Sequence, residues 1–337
     1  ALPISNLTGS DDAARMTARQ LLPRYGIPAI QKLIPLLKES NPTGKAARDT
    51  LFDTAAALCA PGRDKERQQA IVTLAELVSP HQPQFNQVID LEILAFTIPY
   101  DGDVRPVASL LADSELYDKA RSALERIGSD NARTALRSAL DTATPEQQCA
   151  LLDSLGELKD TESQETIANF VKNDRAEIRL AAIRAIAKIG LFQSAPIIFP
   201  PLDRFLHDPA TPPSQKIQAI DAGLRYAHAM EEISTTHLEA RNLACHIYGR
   251  TLGMESGAYL SAALAGLGRS GTEVFVPQVI RLLNHSDLRT RQSAANALKV
   301  MKGEPVTDRL IAEFPAQDKE IQYRLLSVFG ARKSSKT

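Results

Sequence analysis

The densest gathering of residues able to do chemistry is His228, Glu231, Glu232, His237 and His246. His228 and Glu232 stand one helical turn apart, so their side chains leave the same face and have the spacing to share a metal ion. No His-Glu-x-x-His accompanies them, and the stretch reads as ordinary histidines in a solvated segment with no metal. His81, His207 and His285 sit beside helix breakers and read as turn residues. Asp101-Gly102-Asp103 has the opening of a calcium loop, but no downstream acidic ligand completes it, so it is a turn. Gly266-Leu267-Gly268-Arg269-Ser270-Gly271 is glycine-rich and closes a helical pattern, which makes it a C-cap and turn. Neither a Walker loop nor a Gly-x-Ser-x-Gly is present. Cys59, Cys149 and Cys245 are odd in number, far apart and without Cys-x-x-Cys spacing, so they read as small buried hydrophobes. No catalytic residue, metal or cofactor is assigned.

With chemistry this sparse, the elements themselves carry the reading. Asp174 to Gly190 places Ile178, Ala182, Ala185, Ile186 and Ile189 at helical spacing on one face. Asp174 is the expected N-cap with Glu177 three residues on, and Gly190 the expected left-handed stop. The alternation of Ile and Ala lets a neighbouring helix approach closely, and a lone helix could not bury that face. The pattern recurs at anchors Tyr117, Pro145, Arg179, Lys216, Gly257 and Arg291, spaced 28, 34, 37, 41 and 34 residues apart. That is the period of a helical hairpin with loops of varying length. A second helical pattern lies between successive copies, and Pro196, Pro200, Pro201 and Pro277 fall in these intervening helices, which are therefore expected to be the kinked ones.

The Asp, the Arg a few residues on and the Ala-x-x-Ala-Leu/Ile-x-x-Ile-Gly helix together resemble HEAT repeats of the short bacterial, phycobilisome-lyase-like kind, over Val104 to about Phe314. Asp118 to Leu140 also resembles HEAT segments of large exported bacterial proteins. The resemblance implies an all-α, right-handed α-solenoid of helical hairpins, HEAT/armadillo-like, with Asp174, Arg179, Asp287 and Arg291 as a structural ladder between neighbouring repeats. The His-Glu dipeptide pairs of di-iron hydroxylases in the HEAT group are absent.

The expected organisation is one continuous solenoid, with residues 1–103 as divergent repeats and cap and 104–303 as regular repeats. Residues 304–330 are then the capping helices and 331–337 a basic, polar tail. Arg126, Arg184, Lys188 and Lys299 project from the second helices away from the buried stripe, where a concave surface would meet a partner. A formal net charge of -1 and the absence of Trp argue against nucleic acid. The expected function is thus a non-catalytic scaffold that binds a protein or peptide along its concave face. The alternatives are a HEAT-type enzyme, bilin lyase-like or DNA alkyl-base glycosylase-like, and a structural spacer of a larger exported bacterial protein. No run reaches the roughly 20 apolar residues of a membrane span. The chain is expected to be soluble, either cytoplasmic or exported to the periplasm after signal cleavage, and its start at Ala1 fits a processed protein or a piece of a longer one.

Overall fold

A computed structural model describes residues 2–7, 9, 11–38, 42–77, 84–234, 238–253 and 257–332. Side chains of residues 77 and 84–90 are outside the description, as are His81, His237 and residues 333–337. The described residues form helices and no strand, and they gather into two compact units, residues 1–158 and 159–337. The first unit contains α1 (Ile4–Leu7), α2 (Asp12–Leu21), α3 (Ile27–Leu33), α4 (Pro42–Leu58), α5 (Asp64–Leu77) and α6 (Gln84–Thr97). It continues with α7 (Arg105–Ala108), α8 (Tyr117–Ile127), α9 (Asp130–Ala139) and α10 (Pro145–Glu157). In the second unit are α11 (Gln164–Phe170), α12 (Ala176–Ile189), α13 (Ala195–His207), α14 (Pro213–Glu232) and α15 (Leu238–Thr251). Then come α16 (Gly257–Ser270), α17 (Val276–Leu282), α18 (Leu288–Val300), α19 (Glu304–Glu313) and α20 (Lys319–Ala331).

Hairpins stack within each unit in the manner of HEAT-like repeats. In the first, α4, α6, α8 and α10 pack in succession; in the second, α12, α14, α16, α18 and α20 do the same, with the intervening helices forming an adjacent row. Small residues set how closely the row packs. At Gly190 the backbone turns left-handed (φ 70°, ψ 30°) to end α12, as expected, and a Cβ there would lie 2.8 Å from Ala229 of α14. That position therefore excludes a side chain for conformation and for space.

Several expectations are corrected at this level. α12 begins at Ala176, and Asp174 is not its N-cap; Asn173 Oδ1 instead accepts the Arg175 N–H at 2.9 Å, and Arg175 precedes the helix without a side-chain cap bond. The glycine-rich run closes α16 only through its last residue, Gly271, whose N–H donates to Leu267 O at 2.7 Å. It spells Gly-x-Gly-x-x-Gly, yet Gly266 and Gly268 lie inside α16, where Gly266 receives the ring of Tyr248 and Gly268 lets α16 approach α18. No strand leads into it among the described residues, so it lacks the strand–turn–helix context of a dinucleotide fingerprint.

By packing the chain divides after Leu158, while the limits at residues 103 and 303 mark repeat regularity rather than compactness. Packing runs through both: α6 packs on α8, and the Arg332 guanidinium donates to Leu298 O at 2.6 Å and Met301 O at 2.7 Å. Arg332 thus belongs to the fold rather than to a loose tail. Of these prolines, Pro200 and Pro201 lie in the interior of α13, whereas Pro277 sits in the first turn of α17, where its missing N–H costs nothing.

Candidate functional site

α12 is more deeply set than its apolar stripe indicates. Leu180, Ala181, Ile183 and Ala187 are buried along with the expected stripe, because the neighbouring helices cover two sides. Arg179 is left half-buried at the edge of a cleft. Its Nη1 donates to Asn173 O and Asp174 O, both at 2.8 Å, and its guanidinium carbon lies 5.4 Å from the centre of the buried Phe205 ring. Arg291 repeats this geometry with His285 O (2.7 Å) and Ser286 O (2.8 Å). Each arginine therefore ties the turn of its own hairpin to the following helix by capping carbonyls of the turn itself.

The expected Asp–Arg ladder between repeats does not form. The Asp287 carboxylate serves its own helix, accepting the Thr290 N–H (2.9 Å) and hydroxyl (2.8 Å), and these bonds hold its pKa below the usual value. The links between hairpins are different residues. Glu231 of α14 receives Arg269 of α16 through two nitrogens, at 2.6 and 2.9 Å, and the Tyr248 hydroxyl at 3.1 Å. Arg241 Nε donates to Ser270 O at 2.8 Å, and Arg324 to Leu283 O.

The cleft beside Arg179 has a volume of about 820 Å³. α13 supplies one wall through Pro196, Ile197, Pro200, Pro201 and Phe205, and the turn after α11 supplies Lys172 and Asp174. The prolines inside α13 are thus among the residues that make its wall. Prolines 200 and 201 remove the two amides that would pair with the carbonyls of residues 196 and 197, and their rings present carbon to the cleft. Arg204 lies on the same face as Pro200, four residues on, and Asp208 and Thr211 complete the rim. Lys172 and Arg204 are exposed and make no ion pair with any described residue. Asp208 Oδ1 accepts the Ala210 N–H at 2.8 Å, while the Asp174 carboxylate is exposed and has no hydrogen-bond partner among the described residues. The arrangement can hold an anion by two free cations while packing an apolar body against proline and aliphatic carbon.

The basic residues expected to meet a partner do not form one free strip. Arg184 Nη1 donates to Gln218 at 2.8 Å, and both Arg184 and Lys188 have further interactions. Lys299 is half-buried, and Arg126 is exposed in the first unit beside a separate groove. The histidine cluster is dispersed: His228 stands 3.9 Å from Glu231 and 3.8 Å from Glu232, while the exposed His246 packs edge-on to Phe199. Among the described residues no three His, Cys, Asp or Glu side chains converge as metal ligands would. Asp103 is held by Arg105, whose hydrogen bonds lower its pKa. Cys59 and Cys149 are half-buried and only Cys245 is buried, its thiol donating to Ser270 O at 3.0 Å. Sequence reasoning missed the cleft, although the cluster of prolines followed by Arg204 was a visible signal.

No family model matches the chain, and no curated protein sequence matches it. Among solved structures it is similar to human deoxyhypusine hydroxylase in complex with glycerol, at 15% identity and a TM-score of 0.37, over 81% of this chain and 99% of that one. The expectation of a non-catalytic scaffold is corrected here: the solved protein that this chain is similar to is an enzyme. At that TM-score the likeness carries no substrate, metal or reaction to this chain. Among the described residues no helix is long and apolar enough to cross a membrane.

Proposed function

We propose that the second unit takes up a carboxylate-bearing molecule with an extended apolar body, and that the chain is an enzyme acting on it. The observation that carries this reading is the cleft of about 820 Å³ that Lys172 and Arg204, neither with an ion pair among the described residues, line together with Pro196, Ile197, Pro200 and Pro201. An exposed ion pair contributes little, but two cations converging on one ligand across an apolar wall fix its charge and its orientation together. Asp174 lies at the same rim with its carboxylate free of hydrogen bonds, so it is the group available to take a proton from the bound molecule. The repeat subtype that the sequence resembles favours a linear tetrapyrrole, which has two propionates and a long conjugated body, and chemistry of the lyase class.

The test is a titration of the full chain with biliverdin, read by the change in its visible absorbance, with the uncharged dimethyl ester alongside. Binding of the acid that is at least about tenfold tighter than that of the ester is expected, a difference of about 1.4 kcal/mol. Arg204→Gln and Lys172→Gln should each remove most of it. Equal binding of acid and ester, or an acid affinity untouched by both substitutions, would sink the proposal.

A further inference from the structure

The first unit contains a groove of about 560 Å³ that the reading above does not use. It crosses the row of α4, α6 and α8. At its floor Phe52 and Phe96 lie with ring centroids 5.0 Å apart and planes tilted by 33°. They come from different helices, yet 44% and 40% of their surfaces remain open to water. Neighbouring positions on the same helices are fully buried, Leu51 and Thr97 among them, so the exposure belongs to this one pair and not to a loosely packed region.

Charge is sorted around the rings. Arg19 is held by Asp53 at 2.7 Å and Asp49 at 3.3 Å, which offsets one of the two carboxylate charges on the α4 side. Lys45 and Arg126 line the same groove, are exposed, and have no ion pair with any described residue. Glu92 lies one turn before Phe96 on α6, is exposed, and has no described partner either. The groove therefore offers an aromatic floor, two unused cations and one unused hydrogen-bond acceptor. A ligand that satisfies all three has a flat ring, an anionic group and an N–H donor on the ring edge.

We propose that this groove binds a mononucleotide with an amino-bearing base, its ring over the Phe52–Phe96 pair, its phosphate toward Lys45 and Arg126, and its exocyclic amine donating to Glu92. A base stacks on a phenyl ring irrespective of sequence, so the amine and the phosphate supply the selectivity.

The experiment is calorimetric titration of the full chain with AMP, adenosine, IMP and inorganic phosphate. AMP is expected to bind at least about tenfold tighter than adenosine or phosphate, because each of those loses one of the two main contacts. Phe96→Leu should weaken AMP by about five- to tenfold, since it keeps an apolar side chain but removes the ring. Lys45→Gln and Arg126→Gln, both at exposed positions and so without effect on folding, should bring AMP down to the level of adenosine. Glu92→Gln should reduce the preference for AMP over IMP. The proposal is overturned if AMP does not bind, if adenosine or phosphate binds as well as AMP, or if the exposed-site variants bind AMP like the parent. Retention of the parent's melting temperature by Phe96→Leu assigns its loss of binding to the ring; if that variant unfolds, the Lys45 and Arg126 variants decide. None of these outcomes touches the biliverdin test, which concerns the other unit.

Discussion

Removing Arg269 should destabilise the second unit more than neutralising its partner Glu231, and the difference should depend on pH. The Glu231 side chain is 14% exposed and Arg269 52% exposed, so the pair is half open. Burial acts to raise the Glu231 pKa, but the Arg269 hydrogen bonds and charge, helped by the Tyr248 hydroxyl and His228, outweigh it and hold the group below its ordinary 4.5. Arg269→Ala leaves a mostly buried carboxylate with the Tyr248 hydroxyl as its hydrogen-bond donor and His228 3.9 Å away. Breaking a fully buried pair costs about 3–5 kcal/mol, and with Arg269 this exposed we expect about 2–3 kcal/mol at pH 7. Glu231→Gln keeps one acceptor oxygen, turns the other into an N–H donor that Arg269 cannot pair with, and leaves a cation that water can solvate, so about 1 kcal/mol is expected.

The pH dependence follows from linkage. In the parent, Glu231 has a lowered folded pKa, so its stabilisation is fully present above about pH 4.5 and is lost as pH falls through the folded value. In Arg269→Ala, burial is left as the leading influence and the folded pKa rises above the unfolded one. That protonated group then favours the folded state at low pH, and the benefit disappears as pH rises through the folded value. The gap between parent and variant should thus be widest near pH 7 and narrow toward pH 4. Urea unfolding followed by circular dichroism at both pH values measures it. Arg309→Ala is the control, because its pair with Glu313 at 2.7 Å lies within one helix and is worth about 0.5 kcal/mol at most. A gap that stays constant between pH 7 and pH 4, or Glu231→Gln costing as much as Arg269→Ala, would refute the electrostatic account and leave lost packing of the arginine stem as the cause.

Gly266→Ala should cost about 1–3 kcal/mol, since its Cβ would fall 2.3 Å from the Tyr248 ring; Gly330→Ala, with nothing within 4 Å, should stabilise by about 0.5–1 kcal/mol, and thermal melts compare the two. Arg179→Met removes both carbonyl bonds and the contact over Phe205 and should lower stability by about 1–3 kcal/mol, whereas Arg179→Lys, which lacks the planar fork, should recover less than half of it in the same melts. In a thiol-reagent assay of the native chain Cys245 should react last, because burial raises its pKa and its thiol is occupied by Ser270; labelling as fast as Cys59 would contradict the buried placement. The Tyr117 hydroxyl, pushed up to about 12 by burial and donating to Gln147 O at 2.8 Å, should remain largely unionised in an ultraviolet titration at pH 11, and complete ionisation of the chain's tyrosines at that pH would contradict it.

The helices and their pairing were legible because periodicity reports burial: Ile178, Ala182, Ala185, Ile186 and Ile189 are all buried. The further burial of Leu180, Ala181, Ile183 and Ala187 was not, since a stripe records one covered face and a helix in the middle of a row has neighbours on two. Arg179 and Arg291 were recognised as structural, but spacing cannot tell a carboxylate partner from a backbone carbonyl, and here carbonyls win. The Glu231–Arg269 link, 38 residues apart, left no local pattern. Phe52 and Phe96 likewise meet only through the stacking of α4 on α6, whereas the prolines of α13 were plain in the sequence but nothing local tells that their rings line a cleft.

The two arginine clamps have a consequence for how such a chain can lengthen. Arg179 and Arg291 complete the turn inside a single hairpin, so a hairpin bearing one can be copied or excised as a cassette without stranding a charge. Glu231 and Arg269, in contrast, belong to different hairpins, and a duplication or deletion that separates them leaves half a bond on each side. The first kind of contact makes units interchangeable; the second fixes their order.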